Sequence, residues 1–232
     1  MRLAVVSAAP TPALRAARFP VDEEVDADGL RRATTAAAAT AGALPARARV
    51  LTDGSARARQ TARALGLHDT DGTGIGRGTG TAAGTHAHAY MDADASRPGG
   101  GGVEAGVEAA LRDLNVGDWR GRGLDEIPLA ELRRWHEDPA MAPPGGESRM
   151  DLLGRVGDWL ARVGGQPGGL IAVTHPAVVR AVLLLVLRCP PEVFWRIDVA
   201  PLTATLLHRR LPLRLAPARA EPEHRGLLVG DR

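Results

Sequence analysis

Three residue types that together can hold and process an anion stand at comparable places in this 232-residue chain. His175 follows the apolar run 170–173 and precedes Pro176, Arg57 lies just beyond the run 49–52, and Asp113 comes shortly before Gly117-Asp118-Trp119. Arginine offers paired N–H donors to phosphate or carboxylate. A histidine just ahead of a helix sits where the helix terminus already attracts anions. A carboxylate beside them can protonate a leaving oxygen. Taken singly, each has a plainer structural reading. His175 also reads as a corner histidine, Arg57 as a solvated helix residue like Arg59 and Arg63, and Asp113 as a turn or cap residue.

The elements that would position these groups can be read from apolar spacing. Residues 3–6, 49–52 and 170–173 are short apolar runs and read as buried strands. Pro176 suits the first position of a helix, and Val178, Val179, Val182, Leu183 and Val186 then recur at helical spacing. Two prolines, Pro10 and Pro12, argue against a helix directly after the first strand. Asp26 or Asp28 can cap a helix over 30–41, and Asp53-Gly54-Ser55 reads as a turn into a helix over 56–65. Further helices are expected over 125–137 and after Ser148, where Ser148 and Asp151 are spaced as a capping box. Residues 194–197 and 203–207 alternate as strands do. Strands alternating with helices predict a three-layer α/β/α sandwich with a mostly parallel sheet. In such a sheet Ser7, Ala8, Arg57 and His175 converge at the carboxyl edge, where ligands bind.

Composition narrows the function classes. Apolar residues make up 44% and aromatics 3%, so the core must be built from Ala, Val and Leu. The net charge is +2, and no basic run is interleaved with aromatics, which argues against nucleic acid as partner. Cys189 is the lone cysteine, so no intrachain disulfide forms and a reducing, cytoplasmic setting is expected. No segment reaches 18 uninterrupted apolar residues, so no membrane partner is expected. Residues 1–216 read as one domain carrying a flexible Gly-rich insertion at about 68–106, and 217–232 as a disordered tail. The insertion holds His86 and His88, whose spacing suits a metal, but no third ligand is convincingly placed, and neither metal nor cofactor is expected.

Four segments in order resemble the motifs of the histidine phosphatase superfamily, the phosphoglycerate-mutase-like fold. They are the Ser55-Ala56-Arg57-Ala58-Arg59-Gln60-Thr61 helix start, Leu111-Arg112-Asp113 leading to Gly117-Asp118-Trp119, Gly145-Gly146-Glu147-Ser148, and Thr174-His175-Pro176. The resemblance implies an ancestral hydrolysis of phosphomonoesters. A histidine after the first strand would form a phosphohistidine, two arginines and a second histidine would hold the phosphate, and a carboxylate would serve as acid and base. Carried over, Arg57 is the second arginine, His175 the second histidine and Asp113 the carboxylate. Ser7, Arg18, Glu147 and Thr174 are expected to contribute to binding, with Arg18 standing in for the missing first arginine. The ligand implied is a small phosphorylated or other anionic metabolite.

The first motif departs from the pattern. Its arginine falls on Ser7 and its nucleophilic histidine on Ala8, and a methyl group cannot attack phosphorus. Three readings follow: an engineered replacement in a working phosphatase, a natural pseudophosphatase that binds a ligand or partner, or a pocket turned to non-phosphoryl acid/base chemistry through His175 and Asp113. Loss of both motif residues favours natural divergence, whereas retention of Arg57, Asp113, His175 and Gly145-Gly146-Glu147-Ser148 favours a pocket still in use or only recently inactivated.

Overall fold

The computed structural model describes residues 2–45, 47–67 and 105–208. The expected insertion lies almost wholly outside them, with His86 and His88, and so does the tail at 217–232. Five strands form one sheet: β1 (Arg2–Ser7), β2 (Ala48–Thr52), β3 (Gly106–Val107), β4 (Gly169–Thr174) and β5 (Ala204–His208). Their spatial order is β3-β2-β4-β1-β5, all parallel except β5, which runs antiparallel to β1. Among the described residues six α-helices accompany them: α1 (Pro12–Arg15), α2 (Ala27–Ala41), α3 (Ala56–Ala64), α4 (Leu129–Glu137), α5 (Arg149–Gly164) and α6 (Pro176–Leu187).

Strand side chains alternate between the two faces of a sheet. Leu3 and Val5 of β1, with Leu170 and Ala172 of β4, face a core completed by Leu152, Val156 and Trp159 of α5 and Val178 and Val182 of α6. Ala4, Val6, Ile171 and Val173 face the opposite core with Val50, and with Ala62 of α3 and Ala36 and Ala37 of α2. Both faces are therefore covered, as parallel sheets require. Phe19, Trp119 and Trp135 pack together with ring centroids 5.6–5.8 Å apart, and Trp135 meets Trp195 at 4.8 Å.

Local sequence accounts for the helix starts and for three departures from expectation. Asp26 and Ser55 cap α2 and α3, and Ser148 and Asp151 form a reciprocal capping box on α5. Pro12 does not exclude a helix. It occupies the first turn of α1, where a missing N–H leaves nothing unpaired. The helix expected from residue 125 begins at Leu129, because Pro128 disfavours helical backbone at Ile127 and the preceding Leu124–Glu126 form a single 3₁₀ turn. Residues 194–197 are not a strand. Pro190 and Pro191 set up a 3₁₀ helix over Pro191–Arg196, and buried Phe194 packs under the Arg180 guanidinium. Gly106, at the end of the expected insertion, pairs with Leu51 in the sheet.

The acid-bearing segment and the Gly145-Gly146 turn meet backbone to backbone. Gly117 has φ +52°, and a Cβ there would lie 2.0 Å from the Pro144 carbonyl oxygen. Gly117→Ala therefore faces both left-handed strain and a backbone clash. It is expected to lower stability by about 2 kcal/mol or more, measured by urea unfolding.

Candidate functional site

The site is built where β1, β2 and β4 end. After β1, the N–H of Ala8 donates to the Thr174 carbonyl (2.7 Å) and the N–H of Ala9 to Thr61 Oγ1 (3.0 Å). The Ala9 carbonyl accepts from Arg57 Nε at 2.9 Å. The chain around Ala8 is thus fastened to β4 on one side and α3 on the other, and Ala8 is fully buried. Ser55 starts α3 by accepting from the Ala58 N–H, which sets Arg57 on the first turn facing the Ala8–Ala9 backbone. Burial pulls the Arg57 guanidinium below its usual pKa, opposed by the charges of Asp113, Glu23 and Asp53.

His175 follows β4 and caps α6 with its backbone, while its side chain makes no cap bond. Its Nε2 lies 2.9 Å from Asp53 Oδ2, and both side chains are about 5% exposed. Asp53 is the residue directly after β2, and its other oxygen accepts from the Ser55 hydroxyl (2.7 Å) and N–H (3.2 Å). Burial pushes the Asp53 carboxyl up, but the hydrogen bond and charge of His175 and the bonds from Ser55 outweigh it, and the net shift is below 3.8. On the other side of the ring, Asp113 Oδ2 stands 3.3 Å from His175 Nδ1 and 4.0 Å from Arg57 Nη1. The Asp113 side chain is 30% exposed, and its Oδ1 accepts from the Leu114 N–H.

These groups border an open cavity of about 390 Å³. Its lining includes Asp22, Asp53, Arg57, Arg112, Asp113, Arg120 and His175, with Pro20, Val21 and Val116 as apolar wall. Three carboxylates and three guanidiniums balance, so the imidazole decides the sign of the local charge. Among the described residues no group of three or more His, Cys, Asp or Glu side chains is arranged to hold a metal.

Of the residues singled out in the sequence, the structure gathers Arg57, Asp113 and His175 into this cavity and sets Ala8 behind it. The others lie elsewhere. Arg18 is outside the lining, and its guanidinium bonds the Gly121 carbonyl and Glu126 on the surface. Ser7 is fully buried, is not part of the lining, and its hydroxyl has no partner among the described residues. Thr174 gives its hydroxyl to the Leu111 carbonyl at 2.6 Å, which ties the acid-bearing segment to β4. Glu147 pairs with Arg155 through both oxygens (3.0 and 2.7 Å) and accepts from the Asn115 N–H. Arg155 also donates to the carbonyls of Ala110, Arg112 and Asp113. Glu147 and Arg155 therefore hold the backbone that presents Asp113, and do not face the cavity beside His175.

Sequence reasoning passed over Asp53 and Arg155. Asp53 carried the signal that singled out His175, a polar side chain directly after a buried apolar run, but its Gly-Ser sequel read as a simple turn. Arg155 sits on an amphipathic helix, with nothing local to mark its reach across to residues 110–113.

Residues 91–210, about half of the chain, match the histidine phosphatase superfamily (branch 1). The chain belongs to that family. The matched region contains Asp113, Glu147 and His175, whereas Ala8 and Arg57 lie before it. The glucosyl-3-phosphoglycerate phosphatase of Mycobacterium tuberculosis is 33% identical over 103 residues, covering 38% of this chain and 46% of that protein. That of Mycolicibacterium vanbaalenii is 29% identical over 106 residues, covering 39% and 46%. The chain thus spans about half the length of the curated relatives it matches. The solved structure of a mycobacterial glucosyl-3-phosphoglycerate phosphatase with VO3 superposes with a TM-score of 0.66 at 24% identity, covering 89% and 92% of the two chains. The structure of TTHB049 from Thermus thermophilus gives 0.61 at 22% identity, covering 90% and 93%. At these identities the two structures show the shared α/β fold. Among the described residues, no helix is long and apolar enough to cross a membrane.

Asp53 makes the site acid-sensitive in a defined direction. Its carboxyl titrates lower in the folded chain than its ordinary 3.8, so its contribution is full above that value and is lost as pH falls through the folded-state pKa. Asp53→Asn is expected to cost about 1–3 kcal/mol at pH 7. The gap from wild type should narrow below pH 3.8, as read from urea unfolding across pH.

Proposed function

We propose that this chain binds a small phosphorylated or otherwise anionic metabolite in the cavity beside Arg57 and His175, without turning it over through a phosphohistidine. The observation that carries this reading is Ala8. It is fully buried at the carboxyl end of β1, its N–H bonded to the residue just before His175. Of the described histidines, His136 stacks on Trp195 and His208 pairs with Arg2 at the opposite end of β1, so among the described residues His175 is the one imidazole at the cavity. Of the binding half of the family chemistry, Arg57 and His175 line the cavity, while the first arginine and the nucleophile of the covalent half are lacking. Membership of the superfamily supports a phosphorylated ligand, as does the likeness to glucosyl-3-phosphoglycerate phosphatases.

A second reading, acid/base chemistry on a non-phosphoryl ligand, has one observation in its favour. His175 stands between two carboxylates, Asp53 and Asp113, an arrangement that can hold and pass a proton.

Incubation with a radiolabelled phosphomonoester tests the main reading. No acid-labile phosphoenzyme should form, while inorganic phosphate should raise the melting temperature. A covalent phosphohistidine, or indifference to phosphate and to a panel of phosphorylated metabolites, would overturn it.

The geometry also sets an expectation for Asp113. Its carboxylate stands against the Arg57 guanidinium and the His175 ring, in the position an anionic ligand's oxygen would take, so the ligand must displace or repel it. Asp113→Asn removes that charge at an exposed rim. Phosphate binding should tighten by about three- to tenfold, measured by calorimetry at low ionic strength.

A further inference from the structure

The buried pair Asp53–His175 is not accounted for by anion binding alone. A carboxylate added to the wall of an anion pocket opposes the ligand, and a plain turn at this place needs no buried charge. Asp53 can only accept hydrogen bonds when ionised, so the ring nitrogen facing it carries a proton. The facing nitrogen is Nε2, at 2.9 Å. The carboxylate cannot swing away easily, because its second oxygen is held by the hydroxyl and N–H of Ser55, which in turn caps α3. The opposite nitrogen, Nδ1, is buried and has no hydrogen-bond partner among the described residues, with Asp113 Oδ2 its nearest charged neighbour at 3.3 Å.

We propose that Asp53 is a positioning residue that fixes one proton on Nε2 of His175, leaving Nδ1 as the nitrogen that meets a ligand oxygen. The ligand part of this assignment rests on the anion-binding reading above; the ring orientation does not. With Nε2–H held by Asp53, the ring has one position left at which a proton is gained or lost. Bare, Nδ1 accepts a proton from a protonated ligand oxygen; protonated, it donates to an anionic one. The logic is that of a carboxylate orienting a histidine so that its far nitrogen works. Asp53 keeps its own charge because His175 and Ser55 stabilise the carboxylate against burial.

The test is the tautomer of His175 in the full chain labelled with ¹⁵N-histidine, read from long-range ¹H–¹⁵N correlations. Signals of His175 are assigned by their disappearance in His175→Gln. At a pH where the ring is neutral, wild type is expected to carry the proton on Nε2. Asp53→Ala is expected to lose that preference and show both tautomers. Inorganic phosphate should move the Nδ1 resonance and leave Nε2 nearly in place. A proton on Nδ1 in the wild type, or an unchanged tautomer in Asp53→Ala, would overturn the proposal. Should Asp53→Ala fail to fold, the wild-type spectrum still decides, because the tautomer is read without the variant. If Asp53→Ala changes the tautomer but phosphate moves neither resonance of wild type, the positioning role stands and the anion-binding reading fails.

Discussion

Everything at the carboxyl edge depends on the register of β4 between its two parallel neighbours. Thr52 of β2 pairs with Val173, and Ser7 of β1 with Thr174. Asp53, Ala8 and His175 are each the first residue past these strands. A slip of one residue would turn every following side chain to the other face. Because both faces of this sheet are apolar, polarity cannot pin the register. Specific bonds at the edge do so instead. The Ala8 N–H and the Thr174 hydroxyl reach the Thr174 and Leu111 carbonyls, and Ala9 is bonded on both its polar atoms by α3. The same bonds that align the strands bring Asp53, Arg57 and His175 to one wall.

That wall is an expensive thing to build. Asp53, Arg57 and His175 are charged or chargeable groups withdrawn from water, and taking ions out of water costs several kcal/mol each unless they are well paired. Apolar residues of like volume would hold a sheet edge at least as well. The charged set does something packing cannot. It lines a 390 Å³ cavity with polar side chains that are already held in place by one another and by the neighbouring backbone. Asp113 completes the balance from the rim, where its partial exposure lets it yield. The Glu147–Arg155 pair keeps the backbone of this segment in place through the carbonyls of Ala110, Arg112 and Asp113.

How far this could be read from the chain varies with how local the cause is. The strand–His175–Pro176–helix corner, the Ser55 and Ser148 caps and the apolar alternation of β1 and β4 each follow from a few adjacent residues, and each is legible. Pro12 and Pro128 mislead in opposite directions, because a proline starts a helix or delays one depending on whether its neighbours can satisfy the turn. The 194–197 stretch alternates like a strand, but Pro190 and Pro191 direct it into a 3₁₀ helix beneath Arg180. The roles of Arg18 and Glu147 fail for a different reason. Gly121 and Glu126 lie about a hundred residues from Arg18, and although Arg155 is close to Glu147 on α5, residue type alone does not choose between a ligand and an internal ion pair. Asp53 is the sharpest case, since its meaning appears only when a strand 122 residues away places His175 Nε2 beside it.

Ala8 bears on how structure and chemistry are divided in this chain. The loop after β1 is held by backbone atoms of Ala8 and Ala9, so the side chain at position 8 carries none of the bonds that keep the loop in place. The contrast is with Asp53 and His175, whose side chains bond each other inside the fold, so that replacing one strands the other as an unpaired buried polar group. Position 8 holds the edge through its backbone, positions 53 and 175 through their side chains. The Asp53–His175 bond therefore also ties the carboxyl ends of β2 and β4 together.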